Sequence, residues 1–318
     1  MIRRLFSLQN MAFATLFFIF ISLVISPAVY AKECFKGFEM WARFVLPSLF
    51  PFFFLTKIMT SFSLVTRFAN FLSPVARFFN APPLTSYIML MSYISGYPIG
   101  AKLISEFYES GQLSETQAEN ISILCSTSGI PFVLGSVGGL MLQSQAVAFS
   151  IYFSQIIASL VVGYFMCRTN KSTPTTSFLP LKSANLDSVL SDSIHSSVMS
   201  ILIVGGYISL FYVLLKVVAV SKLLFPLEFG LNALFAKFNL DNFGTYLIKG
   251  FFEVTTGCYA FAMHSNKIVV GGFMTAIIAF GGLSINMQSL TFLSKAKIKP
   301  VKFLLQKSAQ ALVAVAVY

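Results

Sequence analysis

The sequence predicts an all-α polytopic membrane protein made of two inverted-topology repeats, each with a re-entrant hairpin and an unwound transmembrane helix. Three observations predict it. Apolar residues fill 56% of the 318 positions and charged residues only 10%, too little polar surface to clothe a water-soluble domain. The apolar residues fall in runs long enough to cross a bilayer, with length for about seven to ten such segments. The runs are interrupted by Gly, Pro, Ser and Thr at matching places in the two halves. This composition excludes an ordinary soluble enzyme, a disordered chain and a nucleic-acid-binding module.

The net charge of +11 is spread over the ends of apolar runs. Its one dense group, Lys295, Lys297, Lys299 and Lys302, reads as a cytoplasmic loop that can also touch anionic lipid. Cys34, Cys125, Cys167 and Cys258 lie far apart, so they read as reduced packing residues. His195 and His264 are isolated, which predicts no metal site. No nucleophile–base pattern stands out, which predicts no enzyme and no cofactor.

Residues 1–31 form an N-terminal transmembrane helix or a signal peptide. Arg3 and Arg4 precede the apolar run 11–26, and Val29-Tyr30-Ala31 is an acceptable cleavage site. Residues 32–167 form the first repeat. A span over 38–65 contains Trp41, Pro47 and Pro51. Residues 66–80 alternate Arg67 and Arg77 with phenylalanines, which suits the interface rather than a crossing. The apolar stretch 84–105 is broken at Ser95-Gly96-Tyr97-Pro98-Ile99-Gly100. Four glutamates mark the polar segment 106–120. A second apolar stretch, 121–142, is broken at Ser126-Thr127-Ser128-Gly129-Ile130-Pro131. A clean span then covers 147–167.

Residues 168–187, rich in Ser and Thr with Arg168, Lys171 and Lys182, form a cytoplasmic linker. The second repeat, 188–318, follows the same plan. It has a span at 198–220 and an amphipathic stretch at 221–244. The short apolar run 246–263 is broken at Glu253-Val254-Thr255-Thr256-Gly257. The run 268–293 is broken at Gly281-Gly282-Leu283-Ser284, and the basic loop precedes a final apolar stretch. With both basic loops inside, the first repeat starts outside and the second inside. The N-terminus is then cytoplasmic and the protein sits in the bacterial cell membrane.

Unwound backbone in hydrocarbon leaves N–H and C=O groups unpaired at several kcal/mol each, so it is kept only where protein, water or a ligand satisfies it. Half-helix N-termini suit an anionic or polar group and half-helix C-termini a cation. Paired interrupted segments mark secondary transporters, with solute bound at the midplane. The candidate substrate-binding residues are therefore Ser95, Gly96, Tyr97, Thr127, Ser128, Gly129, Glu253, Thr255, Thr256, Gly257, Ser284, Asn286 and Gln288. Glu253 is the sharpest, because an acid deep in an apolar run is a functional candidate by default. Its structural alternative is a pair with Lys249 one turn earlier. Lys102 can likewise pair with Glu106. Gly135-Ser136-Val137-Gly138-Gly139 fits small-residue helix packing.

At these motifs the chain resembles the YlbJ-type sporulation integral membrane proteins, which carry the nucleoside-recognition or Gate domain. The matching segments are LPSLFPFF from Leu46, SGYPIGAK from Ser95, Cys125 through Gly138, EVTTG from Glu253 and FGGLS from Phe280. The chain departs from the family at Ser126-Thr127-Ser128-Gly129-Ile130-Pro131, where an Asn-rich motif is usual, and at Asn286, where a histidine is usual. The resemblance implies two Gate-like repeats and a fold similar to concentrative nucleoside transporters. It also implies a role like that of a sporulation protein thought to move dipicolinic acid. The expected function is secondary transport of a small polar or anionic metabolite, dipicolinate-like by resemblance, with H+ or Na+ as candidate coupling ions. The alternatives are a cation-coupled nucleoside carrier and a non-transporting membrane scaffold in sporulation or envelope assembly. The expected partners are a small-molecule solute, the lipid bilayer and a second copy of the chain, with no nucleic acid.

Overall fold

Broken helices alternate with long continuous ones in this protein. The computed structural model describes residues 8–61, 64–169 and 186–318. Arg3 and Arg4, with most of the 168–187 linker, lie outside the described residues. Among the described residues every regular element is helical.

Helix α1 (Leu8–Ile25) ends two residues before Pro27, which opens α2 (Pro27–Met40) at a position where a missing N–H is no loss. α2 runs through a π-helical turn, Trp41–Val45, into α3 (Leu46–Ser61), which contains Pro51. The sequence placed this span at 38–65; the helix instead starts at Pro27, because the half-polar stretch before Trp41 packs on a neighbour. That neighbour is α10 (Leu186–Ser221), the longest helix. Trp41 Nε1 donates to the Ile201 carbonyl at 3.1 Å and locks the pair.

α4 (Leu64–Phe71) and α5 (Ser73–Phe78) are short and two-sided. Val65, Ala69 and Ala76 are buried, whereas Phe71 and Phe78 are exposed. Next come α6 (Leu84–Ser95), α7 (Ile99–Glu109) and α8 (Glu115–Ser122), the last with a full capping box between Ser114 and Gln117. A π-helix, Pro131–Leu142, leads to α9 (Gln145–Thr169).

The second half continues with α11 (Phe225–Ala236), α12 (Phe243–Phe252), α13 (Val254–Ala262), α14 (Lys267–Phe280), α15 (Gly282–Leu293) and α16 (Pro300–Val317). α9, α14 and α16 pack together, and α7 packs on α15. Among the described residues four stretches are long and apolar enough to cross a membrane: Pro27–Thr60, Gln145–Arg168, Val189–Ser221 and Lys267–Ala296. The four cysteines are free, and all but Cys34 are buried.

The basic group after α15 meets the acidic segment of the first half. Lys295 pairs with Glu109 at 3.3 Å and Lys302 with Glu119 at 3.0 Å. These pairs are half-exposed and add little stability, but they bring the two loops to the same edge of the protein.

Candidate functional site

All four sequence breaks are present, and three are narrower than their motifs. Between α6 and α7 only Gly96, Tyr97 and Pro98 leave the helix, and the Tyr97–Pro98 peptide is cis. Between α12 and α13 only Glu253 does, and between α14 and α15 only Gly281. Thr255, Thr256 and Gly257 therefore sit in the first turn of α13, and Ser284, Asn286 and Gln288 within α15. The break after α8 is the wide one, running over 123–129.

The two single-residue breaks, at Glu253 and Gly281, close locally because a side chain replaces the lost backbone bonds. Glu253 is extended (φ −143°, ψ 114°) and fully buried. Its Oε1 accepts the Thr255 N–H at 3.0 Å, and its Oε2 accepts the Thr256 N–H and hydroxyl, both at 2.7 Å. The pairing of Glu253 with Lys249 does not occur: the carboxylate turns forward onto the N-terminus of α13, where free N–H groups and the helix dipole hold it. Asn286 Nδ2 reaches back to the Phe280 and Gly282 carbonyls at 3.0 and 2.7 Å and staples the break at Gly281.

The breaks also lean on each other. Gly96 has a positive φ of 81°, and a Cβ on it would meet the backbone of Gly129. In the second half Gly282 (φ 58°) stands against the Gly250 carbonyl in the same way. In each half two interrupted segments thus touch backbone to backbone, which only glycine permits. α9 backs the first-half pair, with Tyr152 donating to the Tyr93 carbonyl at 2.9 Å and Gln155 bonding the Ser128 backbone.

These segments converge on one small cavity of about 40 Å³. Gly96, Tyr97, Ser128, Gly129, Glu253, Thr255 and Gln288 line it. The remaining sequence-predicted residues stand around it. Ser95 is tied to Thr56 at 2.7 Å, Thr127 is buried behind Ser128, and Thr256 faces a separate cleft. Gly257 packs on Gly250, Ser284 is bonded by Gln288 at 3.4 Å, and Asn286 staples its helix. Sequence reasoning missed the apolar half of the lining, Val45, Leu49, Phe132, Val204, Ile208 and Ile285, because an apolar residue facing a cavity reads like one facing lipid.

It also missed Lys307, in α16, which is fully buried. Its ammonium contacts the Tyr97 hydroxyl and donates to the Ser126 carbonyl at 2.8 Å and to Gln310 Oε1 at 2.6 Å. The polar cluster Gln306, Lys307, Ser308 and Gln310 ahead of the apolar end of the helix was the available signal. Lys102 does not bond Glu106. It donates to Ser196 and Ser200 at 2.8 and 2.9 Å, while Glu106 pairs with Lys57 at 3.4 Å.

Two further, separate spaces lie along the same face of α10. On one side Thr56, Lys57, Lys102, Glu106, Ser196 and Ser200 enclose about 20 Å³. On the other a broad cleft of about 630 Å³ is lined by Tyr212, Lys216, Ala219, Glu33, Glu228 and Thr256, among others. Among the described residues no group of three His, Cys, Asp or Glu stands ready for a metal.

Residues 42–169 match the Gate family, described as nucleoside recognition. The chain is 26% identical over 331 aligned positions to the sporulation integral membrane protein YlbJ of Bacillus subtilis (strain 168), covering 96% of this chain and 81% of that protein. No solved structure matches it. These findings bear out the resemblance read from SGYPIGAK, EVTTG and FGGLS. Residues 42–169 are thus similar to the Gate family, and nearly the whole chain is similar to the integral membrane protein YlbJ.

Proposed function

We propose that this protein is a secondary transporter of a small polar metabolite, and that its solute binds where the four breaks meet. The observation that carries the reading is the convergence of Gly96, Ser128, Glu253 and Gln288 on one small cavity. Interrupted helices are stable in a bilayer only around protein or a wet cavity, and here they surround one. In this reading α6–α7 and α12–α13 are re-entrant hairpins, α8 with the π-helix and α14–α15 are the unwound helices, and the two halves are inverted repeats.

The cavity holds two or three waters at ~15 Å³ each, so a metabolite enters only when the walls part. The flanking spaces supply the way in and out. Ser196, Ser200, Val204, Ile208, Tyr212, Lys216 and Ala219 lie along one stripe of α10 and line the three spaces in turn. From Ser196 to Ala219 the stripe spans about 35 Å at ~1.5 Å per residue, and a bilayer core is ~30 Å. The broad cleft reaches Thr256, which bonds Glu253, so the cavity is one side chain away from the open side. With the basic loops inside, that cleft faces outward, and the N-terminus is cytoplasmic. This open cleft favours a carrier over a scaffold with its breaks packed shut.

The lining is part apolar and part hydrogen-bonding, and its one charge is the Glu253 carboxylate. That suits a compact solute with an apolar ring and polar groups: a nucleoside, or an aromatic carboxylate of the dipicolinate kind. The test is thermal shift and proteoliposome uptake with dipicolinate, uridine and an open-chain dicarboxylate. At least one ring-bearing solute is expected to raise the unfolding midpoint of the wild type and to lose that effect in Glu253→Gln. If none of the solutes binds, and Glu253→Gln behaves as wild type, the transport reading is wrong.

A further inference from the structure

A lysine near the middle of an 18-residue helix, with no exposure to solvent, demands an explanation. Among the described residues no carboxylate lies within ion-pair distance of Lys307. Its surroundings are oxygens instead. The Ser126 carbonyl, the Tyr97 hydroxyl and Gln310 Oε1 supply three acceptors, matching the three N–H groups of an ammonium. The Tyr97 ring lies below, with its centroid 4.9 Å from Nζ, and adds a cation–π contact. Tyr97 also donates to the Ser126 carbonyl at 3.0 Å, so the hydroxyl stays oriented to receive the ammonium.

The position of these oxygens matters more than their number. Tyr97 belongs to the α6–α7 break. Ser126 belongs to the unwound segment after α8, just beyond the end of that half-helix, where the dipole is negative. Unwound carbonyls and half-helix C-termini are where transporters of interrupted-helix design hold a coupling cation. An all-oxygen set of carbonyl, hydroxyl and amide oxygen is also the donor chemistry that hard cations take. The hydroxyls of Ser126 and Thr127, buried and without protein partners, extend that set.

We propose that the Lys307 ammonium is a tethered cation that permanently occupies the site joining the two first-half breaks, in the place a mobile sodium ion would otherwise fill. A covalent occupant does not leave, so the site imposes no sodium requirement on the cavity that Tyr97 lines. The inference rests on the transport reading only for what it says about coupling; the occupancy of the site is testable without any solute.

The experiment measures thermal unfolding of the full chain in lipid nanodiscs, with NaCl, LiCl, methylammonium chloride or choline chloride at equal ionic strength. The wild type is expected to unfold at the same midpoint in all four salts. Lys307→Ala is expected to unfold several degrees lower in choline and to recover part of that loss in Na+, Li+ or methylammonium. A wild type stabilised by Na+ over choline overturns the proposal. So does a Lys307→Ala protein that is as stable as wild type, or that is destabilised but indifferent to every small cation. If Lys307→Ala yields no folded protein, the wild-type arm decides alone. A failed solute screen with this salt pattern intact would sink the transport reading and leave the tethered cation standing.

Discussion

Gln155 pairs with the backbone of Ser128 through both ends of its amide: Oε1 accepts the Ser128 N–H at 3.1 Å, and Nε2 donates to the Ser128 carbonyl at 2.9 Å. One side chain on an intact helix thus imitates a peptide group for a stretch that has lost its helical partners. Gln155→Leu keeps the volume but leaves two buried backbone groups unpaired. At ~1–3 kcal/mol for each such group, it is expected to destabilise the protein by about 2–6 kcal/mol. Cys125, Cys167 and Cys258 are buried and become accessible on unfolding, so a thiol-reactive dye on a heated Cys34→Ala background gives the readout. Gln155→Leu unfolding at the background midpoint would contradict this assignment.

Two glycines with positive φ separate crowding from backbone strain. Gly96 (φ 81°) abuts Gly129, whereas Gly111 (φ 75°) has open space where a Cβ would go. Gly111→Ala pays only the left-handed penalty of about 1 kcal/mol. Gly96→Ala adds a backbone collision and is expected to lose at least ~3 kcal/mol. Equal effects from the two substitutions would show that the backbone contact at Gly96 does not matter.

The cap on α13 gives a third measurable effect. Glu253→Ala removes all three hydrogen bonds that start the helix, and a loss of about 1–2 kcal/mol is expected by the usual worth of an N-cap. Glu253→Asp retains the charge but shortens the reach, so its midpoint should fall between those of wild type and Glu253→Ala. A Glu253→Ala protein more stable than wild type would mean that the buried carboxylate is kept against stability, for function alone.

Single cysteines along α10, introduced on the Cys34→Ala background, map the three spaces. A membrane-impermeant thiol reagent is expected to label Lys216→Cys fastest, because that residue borders the broad cleft, and Ile208→Cys and Ser200→Cys at least tenfold more slowly. Binding of a transported solute should change this ranking. Uniform labelling along the stripe would contradict a closed centre.

The places where the helices break were legible in the sequence, because Gly96, Pro98, Gly129 and Gly281 are poor residues for a helix interior. The widths were not. They depend on what takes up the freed backbone groups: Glu253 and Asn286 close single-residue breaks from within a few residues, whereas the wide break around Thr127 is bonded by distant side chains such as Gln155 and Lys307. The π-helical geometry of Trp41–Val45 and Pro131–Leu142 has no compositional signature, and it follows from contacts between segments distant in sequence, such as Ser136 with the Phe44 carbonyl. Lys307 escaped notice because a lysine near a basic loop reads as a flank of the membrane. Only the packing of α16 against α9 and α14 carries it inward.

The placement of Lys307 sets an order on biosynthesis. Tyr97 and Ser126 leave the ribosome 210 and 181 residues before the side chain that joins them. Until α16 is inserted, the first-half segments lack one of their principal polar partners, although every one of their own residues is already in the membrane. The nascent protein therefore holds its first half in an unfinished state through most of translation, and a chain released before residue 307 would carry that unfinished half as a natural target for membrane quality control.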